Sequence, residues 1–205
     1  MCYGRLYVKT KPFVTHHVAY PLSFRCLSHF KLFYLGQSRT YYKGVEIKNM
    51  VCILVVCTGN TCRSPMAEAL LRRKIKQAGM TDKIMVLSAG IAVGCQAPAS
   101  AGAFAVMSEK GLDLSKHVSR QLKGTEVEAA DVILTMTERH KQAVLTLAPE
   151  AKNKVYTLKE YAEADCDVAD PYGGSPLVYQ ACAEQIEKML TNAWGKITVL
   201  AGKKH

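Results

Sequence analysis

The run Cys57-Thr58-Gly59-Asn60-Thr61-Cys62-Arg63-Ser64-Pro65 holds a nucleophile, an anion clamp and the residues of a tight loop. It lies between an apolar, strand-like segment and the start of a helix-like one. In such a loop successive backbone N–H groups converge on one point, and the helix dipole adds partial positive charge there. The place binds a tetrahedral oxyanion before any side chain is counted. Cys57, at the loop entry, sits where amides and an arginine favour the nucleophilic thiolate. Arg63, six residues on, returns across the loop. Its planar fork can hold two phosphoryl oxygens and stabilise charge in a transition state. The phosphate-binding set is Thr58, Gly59, Asn60, Thr61, Cys62 and Arg63. Gly59 permits close backbone approach, and Asn60 tolerates the left-handed conformation that a tight loop needs. Ser64 is expected to donate a hydroxyl to the thiolate and to cap the helix. Pro65 fits the first turn, where a missing N–H costs nothing. Cys-x5-Arg alone arises by chance, and the bland alternative is a core cysteine before an ordinary turn. The whole run after an apolar strand is far more specific. It lacks the Gly-Lys-Ser/Thr of a nucleotide-binding loop, which disfavours ATP or GTP.

A leaving group needs a proton, and Asp170 is the candidate acid. Pro171 restrains it to an extended conformation, suited to a carboxylate presented from a loop. Asp-Pro is also a common turn, and Asp167 is the nearby competitor. His117 reads as a brace that bonds loop backbone. His140, in Glu138-Arg139-His140-Lys141, reads as part of a solvated helix face, as does Arg72-Arg73-Lys74. The cysteines stand at 2, 26, 52, 57, 62, 95, 166 and 182. No CxxC and no Cys/His cluster has zinc spacing, so neither a metal nor another cofactor is implied. Cysteine usage in an enzyme-like body fits a reducing, cytoplasmic compartment.

The elements that must position these groups alternate in type. Cys52-Ile53-Leu54-Val55-Val56 suits a strand buried on both faces. Ser64 to Ala78 follows as a helix, with Met66, Ala69, Leu70, Arg73 and Ile75 at helical spacing and Gly79 closing it. Ile84–Leu87 is a second strand, ended by Ser88-Ala89-Gly90. Ser100–Lys110 is a helix stopped at Gly111, and Asp131–Met136 a third strand. Thr137 caps a helix through Leu147, with Pro149 beyond. Val155–Leu158 is a fourth strand. Ser175 or Pro176 opens a last helix to about Leu200, with Ile186, Met189 and Leu190 as core. Strands alternating with helices predict an α/β fold, a four-stranded parallel sheet flanked by helices on both faces. Loops beyond the strands' carboxyl ends share one rim, so Asp170 can face Cys57.

Residues 1–49 differ from this body. They hold ten of the sixteen aromatic residues and no sustained period. Residues 1–50 carry eight Lys/Arg and one acid, a charge of +7. Residues 51–205 carry the other 19 and 16, a charge of +3. The basic balance therefore says little about nucleic acid binding by the body. The segment is read as an extension outside the body, disordered or an artefact of a start site misplaced ahead of Met50. The domain that carries the loop is then 50–205. An arm that binds RNA or a membrane surface is another reading of these residues, and a transit peptide a third, disfavoured because the segment is Tyr/Phe-rich and not clearly amphipathic. No apolar run long enough to span a membrane and no secretory signal occurs in the sequence.

The loop, with Ser88-Ala89-Gly90, His117, Ser119-Arg120-Gln121-Leu122, the Asp131–Met136 strand and Asp170-Pro171, resembles the low-molecular-weight protein tyrosine phosphatase family and its protein-arginine phosphatase branch. The resemblance covers about residues 51–200. It implies Cys57 as nucleophile, Arg63 as phosphate clamp and Asp170 as general acid, with a phosphocysteine intermediate hydrolysed by water and no metal. It also implies a reversible disulfide partner for the nucleophile in Cys62, whose bland alternative is packing beneath the loop. Tyrosine-specific members tend to carry an aliphatic residue at Thr61 and Asp-Pro-Tyr-Tyr in the acid loop. Thr61, Tyr172-Gly173-Gly174-Ser175 and Thr157-Leu158-Lys159-Glu160-Tyr161 resemble the arginine branch. A hydroxyl beside the scissile group can meet a polar guanidinium that a bulky aliphatic would desolvate. Thr61 and Tyr172 are accordingly the specificity candidates. The expected partner is a phosphorylated protein, met by a monomer without nucleic acid or membrane. The rivals are a protein tyrosine phosphatase, a thiol-linked arsenate reductase needing a cysteine relay through Cys95 or Cys166, and a phosphate cradle without turnover, which has no use for Asp170.

Overall fold

The computed structural model describes Tyr41–Tyr42, Val45–Glu46 and residues 50–204. Strands β1 (Tyr41–Tyr42) and β2 (Val45–Glu46) pair antiparallel, Tyr41 opposite Glu46 and Tyr42 opposite Val45. Two residues each are too few to show a period in sequence. The readings of residues 1–49 as disordered or as a start-site artefact otherwise lie outside the described residues.

Strand β3 (Val51–Cys57) is buried along all seven residues. Its alternate side chains go to opposite sides, as the pleat requires. Val51, Ile53, Val55 and Cys57 join one core with helices α1 (Arg63–Gln77) and α6 (Pro176–Lys203). Leu54 and Val56 join a second core with helices α3 (Gly124–Ala129) and α4 (Glu138–Leu147). Strands β4 (Ile84–Gly90), β5 (Val132–Thr135) and β6 (Val155–Thr157) complete a parallel sheet in the order β4-β3-β5-β6. The chain leaves β3 for β4 on one side and returns across it to β5 on the other. The carboxyl end of β3 is thus the topological switch point, where open α/β sheets form their ligand crevice. At the opposite end, Lys204 Nζ holds Met50 O at 2.9 Å and Asp131 Oδ2 at 2.6 Å, and that carboxylate accepts from Cys52 N at 2.7 Å. Among the described residues no helix is long and apolar enough to cross a membrane.

Element boundaries differ from expectation where local hydrogen bonding outweighs pattern. The second strand runs on through Gly90, because Gly90 N donates to Arg120 O and Leu122 N to Gly90 O. The fourth strand stops at Thr157, which caps helix α5 (Leu158–Ala162). Thr157 Oγ1 accepts from Glu160 N at 3.0 Å, and Glu160 Oε2 accepts from Thr157 N at 2.8 Å. Helix α3 and a 3-10 turn over Pro149–Lys154 carry too little periodicity to be read from sequence. Helix α2 (Ala101–Glu109) starts after Ser100, whose side chain caps it. Arg72-Arg73-Lys74 is only partly a solvated face. Arg73 Nη2 pairs with Glu187 at 2.5 Å and Lys74 lies over the Trp194 ring, so these residues join α1 to α6.

Leu134 is fully buried at the centre of β5. Leu134→Ala is expected to cost about 2–5 kcal/mol, read as a lower urea midpoint with an unchanged slope.

Candidate active site

Cys57 ends β3 and Arg63 begins α1, so the five residues between them turn around the carboxyl end of the central strand. Asn60 makes that turn possible. Its φ is 55°, in the left-handed region, and it is wholly buried. Its Nδ2 donates to Ser64 Oγ and to Ser88 Oγ, both at 2.9 Å. Its Oδ1 accepts from Arg120 N at 3.0 Å, and its carbonyl lies 2.7 Å from His117 Nε2. A carbonyl only accepts, so His117 carries its proton on Nε2. Every polar group of a strained, buried side chain is thus paired, which offsets the strain.

Ser64 Oγ lies 3.0 Å from Cys57 Sγ. Since Asn60 gives Ser64 a hydrogen, the serine's own hydrogen is left for the sulfur, with Ala89 O a longer competitor at 3.5 Å. The capping role expected of Ser64 is corrected: the residue preceding the helix is Cys62, and no side chain caps this terminus. Ser64 lies inside the first turn, turned back to the nucleophile. The uncapped terminus leaves its first N–H groups for an anion.

Cys57, Thr58, Gly59, Thr61, Cys62 and Arg63 line one cleft of about 240 Å³, with Asp170 and Tyr172 at its rim. That is below the roughly 300–1,000 Å³ of sites that enclose drug-sized ligands and suits a single phosphorylated side chain. Arg63 Nη2 donates to Asp170 Oδ2 at 2.7 Å and Nη1 to Val168 O at 3.4 Å. Its Nε is buried without a protein partner among the described residues. Such a donor costs about 1–3 kcal/mol unless an acceptor meets it, and an oxyanion in the cleft is one. Asp170 Oδ1 accepts from Tyr172 N at 3.2 Å, and Gly174 N donates to Pro171 O at 2.9 Å across Gly173, whose φ is 76°. This turn, with glycine where φ must be positive, presents the carboxylate to the cleft and leaves Tyr172 78% exposed. Asp167 is occupied elsewhere: it accepts from Glu138 N at 3.1 Å and pairs with Lys159.

Cys62 lines the cleft and is also tied to groups beyond it. Its thiol donates to Ser100 Oγ at 3.2 Å and lies 3.5 Å from Tyr179 Oη. The other cysteines are placed apart from the lining. Cys95 and Cys166 are exposed, and burial pushes the Cys182 thiol up to about 12.

Two residues matter here that the sequence did not announce. Gly90 closes β4 directly beneath the loop, and a Cβ there would lie 2.6 Å from Thr58 O and 3.0 Å from Asn60 N. His140, expected on a solvated face, is 4% exposed. Its Nε2 is 2.8 Å from Thr58 Oγ1 and its Nδ1 is 2.9 Å from Thr137 Oγ1. Burial, then the Arg63 charge, holds it down at about 4, so it is neutral at pH 7. The Thr137 cap would have located it: three residues into a helix capped at a strand end, a side chain can face back over the sheet rim.

Gly90→Ala is expected to cost about 1–3 kcal/mol by overpacking and to weaken inorganic phosphate binding, checked by thermal unfolding and calorimetric titration. His140 also gives the fold a pH dependence. The unfolded chain binds its proton below about 6.5 and the folded protein only below about 4. Stability therefore rises with pH across that window, by up to about 3 kcal/mol, and is lost on acidification. Urea unfolding at a series of pH values should show this slope shrink in His140→Gln.

The family model of the low molecular weight phosphotyrosine protein phosphatases matches residues 52–200. The protein-arginine-phosphatase of Geobacillus stearothermophilus is 42% identical over 139 residues, 67% of this chain and 90% of that protein. A solved YwlE arginine phosphatase from Geobacillus stearothermophilus superposes with a TM-score of 0.68 at 39% identity, covering 76% of this chain and 97% of that one. A YwlE arginine phosphatase mutant, cysteine to serine with a phosphorylated active-site serine, superposes at a TM-score of 0.66 and 37% identity, covering 72% and 96%. With its cleft built on the loop from Cys57 to Arg63, the chain belongs to the low molecular weight phosphotyrosine protein phosphatase family.

Proposed function

We propose that the protein hydrolyses phosphoarginine in proteins through a phosphocysteine formed on Cys57. The observation that carries this reading is the convergence of three groups on one small cleft: Cys57 with the Ser64 hydroxyl 3.0 Å from its sulfur, Arg63 with a buried Nε that has no partner among the described residues, and Asp170 at the rim. The phosphoryl group binds to the loop amides and the Arg63 fork, which takes the place of the Arg63–Asp170 contact and turns the Asp170 carboxyl to the leaving group. The Cys57 thiolate attacks phosphorus as the P–N bond breaks, and Asp170 gives its proton to the departing guanidine nitrogen. Water then attacks the phosphocysteine, Asp170 takes its proton, the P–S bond breaks, and inorganic phosphate leaves with the thiolate restored.

Thr61 in the cleft wall supports arginine over tyrosine, since its hydroxyl can meet the guanidinium that a bulky aliphatic would strip of water. Tyr172, exposed at the rim, can lie against the planar cation. Similarity to proteins named arginine phosphatases supports the same choice. The catalytic unit in this reading is residues 50–205, acting as a monomer in the cytoplasm, with Cys62 as the thiol that protects oxidised Cys57.

The test is phosphate release by the full chain from a phosphoarginine and a phosphotyrosine peptide at equal concentration. Preference for phosphoarginine, falling at least tenfold in Thr61→Ile and abolished in Cys57→Ser, is expected. Preference for phosphotyrosine would leave the mechanism and overturn the substrate.

A further inference from the structure

His140 reaches the phosphate loop from a different element. It stands in the first turn of α4, and its ring bridges Thr137 of that helix to Thr58 beside the nucleophile. The hydrogens around this bridge can be counted. Thr137 Oγ1 accepts from His140 N and keeps a second lone pair, so it can give its hydrogen to Nδ1 or take one from it. In the first arrangement Nδ1 is the acceptor of the neutral ring, and Nε2 carries the proton and gives it to Thr58 Oγ1. The Thr58 hydroxyl hydrogen is left over, and Thr58 lines the cleft. The opposite tautomer would draw that hydrogen toward the ring and leave the spare one on Thr137, which is not among the lining residues. With an anion in the cleft, the first arrangement gains a charge-assisted hydrogen bond and the second does not.

We propose that His140 is a positioning residue that holds the proton on Nε2 and so makes Thr58 a side-chain donor to the phosphoryl group. The proposal rests on the phosphatase reading but not on the choice of arginine over tyrosine. The ring stays neutral among the charges that face it, Arg63 and Arg139 against Asp170 and Asp167, with burial and the arginines outweighing the carboxylates. The bridge also explains why a histidine in a polar helical stretch is buried at the rim of the sheet.

The test uses the full chain, inorganic phosphate as the probe for binding and p-nitrophenyl phosphate for turnover. Nitrogen NMR of the unmodified protein near neutral pH should show one neutral His140 tautomer with the proton on Nε2. Thr58→Val, which removes the hydroxyl at equal size, and His140→Ala should each weaken phosphate about tenfold. The double variant should be no weaker than either single, because both remove the same hydrogen bond. Thr58→Ser should restore binding. A proton on Nδ1, or losses that multiply in the double variant, would overturn the proposal. If His140→Ala does not fold, the tautomer and the Thr58→Val and Thr58→Ser pair still decide it. Loss of turnover with tautomer and phosphate binding as expected would instead count against the phosphatase reading.

Discussion

Holding a loop of backbone N–H groups open toward one point is unfavourable unless something behind it keeps the chain from relaxing, and here that something is the side chain of Asn60. Its backbone takes the left-handed turn while its amide binds Ser64, Ser88 and the Arg120 backbone, three segments far apart in sequence. The loop therefore cannot change shape without breaking bonds to the first helix, the second strand and the segment before α3. Because the network is buried, each broken bond leaves a desolvated polar group, which is more costly than the bond is worth when made. Rigidity of this kind allows electrostatic stabilisation without reorganisation at the moment of reaction.

The sheet order supplies the rest. With β3 in the centre and the chain leaving it in both directions, the loops after β3, β4 and β5 meet at one rim, and the Asp170 loop joins them. Each brings one function: the cradle after β3, the Gly90 close approach after β4, the Thr137–His140 brace after β5. The nucleophile is served by groups that do not touch substrate. Ser64 accepts from Asn60 and sets its hydroxyl 3.0 Å from the sulfur, so the network fixes the polar group that faces the nucleophile.

Much of this was legible in the residues. The apolar run Cys52–Val56 announced the central strand, which the structure extends to Val51–Cys57, and the Cys57–Arg63 run with Asp170-Pro171 announced the site. What was not legible depended on hydrogen bonds between distant segments. His140 sits among Glu138, Arg139 and Lys141, and polarity alone says solvent; its burial comes from the sheet edge it folds over, to which the Thr137 cap three residues earlier is the local pointer. Ser64 was expected both at the sulfur and as the helix cap; it does lie against the sulfur, whereas the cap position fell to Cys62. The boundary at Thr157 was legible in principle, since Thr157-x-x-Glu160 is a capping box, but Val155–Leu158 reads equally as a strand. Gly90 looked like a strand stop. Its reason, the nearness of Thr58 O, appears only when the loop is folded above it.

The central claim is that Cys57 carries the phosphoryl group between two half-reactions. Rapid-quench mass spectrometry of the full chain mixed with a phosphorylated substrate tests it most directly. A transient adduct of one phosphoryl mass on the peptide that contains Cys57, rising before free phosphate and absent in Cys57→Ala, is the expected result. Turnover with no adduct, or with an adduct on Asp170 or another cysteine, would contradict it.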